Sequence, residues 1–180
     1  TANSGNHLRI SLLTCSPSDD DVYTLYGHTA IRIQERLETE SFIRTSDYVF
    51  NYGIFDFSKP NFIYRFAYGE TDYILGVIDF ESYLNEYRMR GSEVCEQVLN
   101  LDSTEQAALL RALTTNALPE NRVYRYNFFF DNCATRPAMM IEQAVHGKIA
   151  YAERPYEESF RDLINRCTRY HPWNTFGCDL

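Results

Sequence analysis

A thiol follows three phenylalanines and two capping residues in the stretch NFFFDNCATRP, residues 127–137. Asp131 and Asn132 are favoured helix N-cap types, so Cys133 is expected in the first turn of a helix that stops at Gly147. There the macrodipole and the unpaired N–H groups favour an anion and lower a thiol pKa, and the thiolate is the nucleophilic form of cysteine. The same N–H groups suit the oxyanion of an acyl transfer. The competing reading is a small cysteine that only packs.

A thiolate nucleophile requires a base, normally histidine, oriented by a third polar group. The chain holds four histidines. His7 lies in the polar N-terminal stretch, His171 precedes Pro172, and His146 ends the helix that Cys133 starts. At about 1.5 Å of rise per residue, His146 is roughly 20 Å from the thiol and is excluded as its direct partner. His28 remains. It follows Gly27 at the opening of a strand, and a glycine lets another group approach the backbone closely; a satisfied core histidine is the alternative.

For the orienting group, Asn51 is a lone amide in the otherwise apolar VFNYG. Left unpaired and buried it would cost about 1–3 kcal/mol, which a hydrogen bond to the His28 ring would avoid. Asp56 is the runner-up, and an asparagine satisfied by backbone is the other reading of Asn51. Tyr26, Asn132 and Arg136 are placed around the substrate, Tyr26 as a donor and Arg136 as a cation for an oxyanion or an anionic substrate. Cys15, in TCSPS, rivals Cys133 but precedes a proline turn with nothing to activate it. Cys95 alternates with Val94 and reads as packing. Whether Cys167 and Cys178 pair is open.

The elements that must position these groups follow from periodicity. LRISLLT (8–14), YGHTAIRIQ (26–34), YVFNYGIF (48–55), TDYILGVI (71–78) and EVCEQVLNL (93–101) read as strands. In the second, His28, Ala30 and Arg32 share one face and Thr29, Ile31 and Ile33 the other. FESYLNEYRMRG (80–91) has helical spacing and stops at Gly91. DSTEQAALLRALTTNAL (102–118) opens on a capping pattern, with Asp102 or Ser103 as cap and Glu105 or Gln106 for the return bond. CATRPAMMIEQAVHG and ESFRDLINRC are further helices, KPNFIYRFAYG (59–69) a short one, and VYRYNFFF (123–130) is extended. The expected fold is a single α+β domain over residues 1–180.

Bulk properties narrow the function. The chain of 180 residues suits one domain. A net charge of −8, from 17 Lys and Arg against 25 Asp and Glu, argues against a nucleic-acid partner, because phosphate contacts need clustered cations. Five cysteines leave at least one thiol free unless chains pair. Their spacings and the scattered histidines offer no metal-ligand set, and no cofactor is expected. No apolar run reaches the roughly 20 residues of a membrane span. TANSGNH reads as the start of a mature or trimmed chain, and the abrupt HPWNTFGCDL as the end of a domain excised from a longer, membrane-anchored protein.

The set YGHTAIRI, VFNYGIFDF and YRYNFFFDNCATRP resembles the Lnb N-terminal periplasmic domain family of Bacteroidetes-type envelope proteins, from ISLLTCSPSD to HPWNTFGCDL. That family looks like a circularly permuted relative of the NlpC and papain-like cysteine enzymes, an order shared with lecithin:retinol acyltransferase. HTAI is similar to the histidine-strand signature of that acyltransferase group, and DNC to its nucleophile segment. The resemblance implies an antiparallel sheet packed against helices, with Cys133 as nucleophile at a helix N-terminus, His28 as base and Asn51 in the third position. The acyltransferase relatives usually carry a second histidine there. It further implies a lipoprotein N-acyltransferase of the periplasm, moving an acyl chain from a phospholipid to the N-terminal amine of a lipoprotein, with the membrane reached through a C-terminal part. The alternatives are an NlpC-like cysteine peptidase or amidase acting on cell-wall peptides, and a non-catalytic envelope binding module.

Overall fold

The computed structural model describes residues 6–20, 22–39, 41–55, 71–147, 149–151 and 157–172. Strand β1 (Asn6–Cys15) is followed by a 3-10 turn (Val22–Tyr26), β2 (His28–Glu38), β3 (Ile43–Ile54) and β4 (Asp72–Asp79). Helix α1 (Phe80–Met89), β5 (Val94–Val98), α2 (Ser103–Asn116), β6 (Val123–Arg125), α3 (Thr135–Ala144) and α4 (Phe160–Thr168) complete the order. The strands form one antiparallel sheet in the order β5-β1-β2-β3-β4-β6. The α+β expectation holds at this level.

Alternation along the strands builds two cores. Ile10, Ile31, Ile33, Phe50, Tyr52 and Leu75 face α2 and α3, where they meet Leu109, Leu113, Met140 and Ile141. Leu109 and Leu113 are fully buried, each contributing about 2 kcal/mol by removal from water. The opposite parity, Leu13, Cys15, Ala30 and Val49, packs under Tyr83 and Tyr87 of α1. Arg32 shares that second face and is buried only because Asp47 and Glu96 neutralise it and the Phe80 ring covers it.

Capping fixes the helix starts. Asp102 accepts from the N–H groups of Thr104 and Glu105, and the Glu105 carboxylate returns to the Asp102 N–H, which resolves the two cap choices left by the sequence. Ser159 and Asp162 start α4 with the same reciprocal pair, while Asp79 starts α1 by accepting from the N–H groups of Glu81 and Ser82. The segment VYRYNFFF departs from expectation. It is extended only through Arg125, after which Asn127 and Asp131 bridge and the three phenylalanines fall in a turn. The cause is local, since the Asn127 side chain accepts from the N–H groups of Phe129 and Phe130. The helix expected over 59–69 lies outside the described residues.

Candidate active site

The turn that ends in Cys133 is self-supporting. Asn132 Oδ1 accepts from the N–H groups of Ala134 and Thr135 at 2.8 and 2.9 Å, while its Nδ2 donates to the Phe128 carbonyl. The Asn132 carbonyl accepts from Arg136 N–H, adding a turn ahead of the regular helix α3. Cys133 sits in that added turn. Arg136 holds Asp131 through two nitrogens and lies 3.8 Å above the centre of the Tyr124 ring. The sequence places Asn132 and Arg136 at the substrate; here their polar atoms are engaged within the loop, and neither lines the neighbouring cavity. Tyr26, at the end of the 3-10 turn, packs its ring edge-on against Phe128 and is likewise not among the cavity's lining residues.

Thr29, which sequence reasoning did not single out, ties this turn to β2. Its hydroxyl donates to the Cys133 carbonyl at 2.5 Å, and its backbone N–H reaches the Cys133 sulfur. A threonine in a strand sends its side chain to the face opposite its neighbours, so Thr29 meets α3 while His28 points toward α1. The alternation was readable; the partner 104 residues away was not.

His28 and Asn51 come together from adjacent strands, with Nε2 of His28 at 2.5 Å from Asn51 Oδ1. An amide oxygen only accepts, so Nε2 carries the proton and Nδ1 keeps the lone pair. Tyr87 of α1 stacks on the imidazole at 6.1 Å. Gly27 supplies the close approach expected of it, since a Cβ there would lie 2.8 Å from the Cys15 carbonyl oxygen.

Gly53 lies between the turn that carries Cys133 and the His28 ring, while no hydrogen bond joins the sulfur to the imidazole. A Cβ built on it would sit 3.5 Å from Cys133 Cβ and 3.6 Å from His28 Cε1, so those two atoms are no farther apart than the sum of those distances. Gly53 has φ of +100° and lies in an irregularity between Asn51 and Ile54 in the β3–β4 pairing, a conformation that side chains disfavour. Asp56, the other candidate orienter, lies outside the described residues.

The electrostatics correct one expectation. Burial pushes the Cys133 thiol up, and the N–H groups of Thr29 and of Cys133 itself only partly oppose this. A helix start offers about 0.3–1 kcal/mol to an anion, which is less than the desolvation of a buried thiolate. Burial also drives His28 from 6.5 down to about 4, against the hydrogen bond it donates to Asn51 and with help from the Arg90 charge. The resting pair is therefore a neutral thiol beside a neutral imidazole. Tyr73, Tyr124 and Tyr126 are raised by burial and further by proximity to Cys133, so the sulfur lies among tyrosines.

The remaining cysteines separate clearly. Cys15 is buried, shares a hydrogen bond with Tyr83 at 3.0 Å, and is pushed up to about 11 by burial. Cys95 is exposed on the edge strand rather than packed. Cys167 is a free, half-buried thiol, and Cys178 lies outside the described residues. His7 is exposed, His146 sits beyond the C-terminus of α3, and His171 meets Asp19 at 3.2 Å.

A six-stranded α+β domain in which a helix-start cysteine and a strand histidine converge on one glycine is thus defined by fold and site. The profile of the Lnb N-terminal periplasmic domain family matches residues 1–166. The chain belongs to that family, which assigns it to the periplasmic side of the cell envelope. No curated protein and no solved structure matches it. Among the described residues no helix is long and apolar enough to cross a membrane.

Proposed function

We propose that this domain catalyses acyl transfer through a thioester on Cys133, in a permuted papain-like arrangement, with a phospholipid ester as donor and a lipoprotein N-terminal amine as acceptor. The single observation that carries the reading is the meeting of Cys133 and His28 over Gly53, with the His28 ring held by Asn51. The thiol gives its proton to Nδ1 of His28 as the sulfur attacks the ester carbonyl. The C–O bond breaks, and the departing alkoxide takes that proton and leaves as an alcohol. The acceptor nitrogen then attacks the thioester, its proton passes to Nδ1, the C–S bond breaks, and the thiolate recovers the proton. The N–H groups of Thr29 and Cys133 stand near the sulfur, where a developing oxyanion needs donors. A neutral imidazole suits the first step, since only the unprotonated ring accepts a proton.

The test is intact-mass spectrometry after incubation with a phospholipid dispersion. The expected result is one acyl adduct, mapped to Cys133 and absent from Cys133→Ser and His28→Ala, which a primary amine discharges faster than water. Rapid discharge by water alone would make the domain a hydrolase, and no adduct on folded wild-type protein would defeat the covalent mechanism.

A further inference from the structure

Nucleophile and base are exposed to different surroundings. Cys133 packs with the α2 and α3 core and lies among Tyr73, Tyr124 and Tyr126. His28 and Asn51 instead line a cavity of about 300 Å³ on the α1 side, together with Gly53, Glu86, Arg90 and Ser92, and Cys133 is not among its lining residues. Gly53 belongs to both places. It lines the cavity, and the space its missing side chain leaves is within van der Waals contact of Cys133 Cβ.

Apolar and aromatic groups, Ile54, Phe55, Ile78 and Tyr87 among them, share the cavity with a charged pair of both signs. Arg90 donates to Oε1 of Glu86, while no hydrogen bond to Oε2 occurs among the described residues. The two side chains are 29% and 43% exposed, open enough to meet a solute yet shielded enough for charge to count. A carboxylate oxygen with room for a donor, beside a guanidinium with N–H groups to spare, complements an ammonium next to an amide carbonyl.

Resting on the acyl-transfer reading above, we propose that this cavity is the acceptor site. Glu86 draws in the ammonium of a peptide-like acceptor, Arg90 holds its first carbonyl, and the amine, after giving one proton to water, attacks the thioester past Gly53. The donor enters from the tyrosine side. Such an arrangement keeps His28 between the two substrates, so that one imidazole serves both half-reactions, and the thioester is exposed to the acceptor through an opening only one missing side chain wide.

The experiment separates the half-reactions. Acylation is followed as nitrophenolate release from a nitrophenyl ester, and deacylation as loss of adduct mass with either diglycine amide, a cation, or hydroxylamine, which is uncharged at neutral pH. Glu86→Gln should raise the half-saturating concentration of diglycine amide about tenfold, the scale of a charge-assisted hydrogen bond, with acylation and hydroxylaminolysis unchanged. In Cys133→Ser protein, diglycine amide should shift the His28 ring resonances saturably. Equal behaviour of Glu86→Gln and wild type toward diglycine amide, equal slowing with both amines, or an unmoved His28 signal overturns the acceptor assignment while leaving the thioester standing. Failure of the wild type to form the adduct removes both.

Discussion

Lowering the pH should destabilise this domain through His28 before its carboxylates titrate. The imidazole has a folded-state pKa of about 4 against 6.5 when unfolded, so below about pH 6.5 the unfolded chain binds a proton that the folded one refuses. Stability therefore falls as pH drops through the window between those values, and the loss levels off once the folded ring also protonates. Each pH unit is worth about 1.4 kcal/mol for one proton. From about pH 6.5 to 5, above most carboxylate titration, the expected loss is on the order of 1–2 kcal/mol after allowing for the ring's partial contact with the cavity. That is a sizeable share of a typical 5–15 kcal/mol stability. The assay is urea unfolding at closely spaced pH values, comparing wild type with His28→Gln, which keeps a donor for Asn51 and cannot titrate. The wild-type curve should slope in this window and the variant's should be flatter by one proton. Parallel curves would mean that His28 protonates within the fold, and would refute the desolvation argument.

Two substitutions probe the geometry that joins strand to nucleophile. Thr29→Val removes the donor to a half-buried carbonyl and should destabilise by about 1–3 kcal/mol, while speeding iodoacetamide alkylation of Cys133 as the turn loosens; Thr29→Ser should match wild type in both, and equal behaviour of the two variants would remove Thr29 as the tie. Gly53→Ala places a methyl group between Cys133 Cβ and the His28 ring at ordinary contact distances, but in a backbone region costing about 1–3 kcal/mol. Acylation should slow at least about tenfold in protein that remains folded by circular dichroism; unchanged acylation would show that Cys133 and His28 do not meet there.

The chain's alternation and caps were enough to lay out most of the described elements. Apolar and polar parity in LRISLLT, HTAIRI and VFNYG marks the strands and correctly sorts Ile31 and Ile33 from Ala30 and Arg32, because period-two geometry is local. The hydrogen bond between His28 and Asn51 was foreseeable for a related reason, since a buried amide must find a partner and few were at hand. Helix length alone removed His146 from Cys133.

What only the tertiary structure decided are the quantities that depend on packing across the chain. The direction of the Cys133 shift reversed because desolvation, set by the tyrosines and the sheet around the thiol, outweighs the helix start that the sequence displays. Arg136 looked like a free cation until Asp131 and Tyr124 closed around it. Thr29 and Gly53 carry no chemical signal of their own; they matter because the fold sets residues 29, 53 and 133 against one another. The cavity beside His28 likewise depends on α1 crossing the sheet with Glu86, Tyr87 and Arg90 toward it. Local pattern determines which residues alternate and where helices begin, whereas proximity and dielectric environment arise only when distant segments exclude water together.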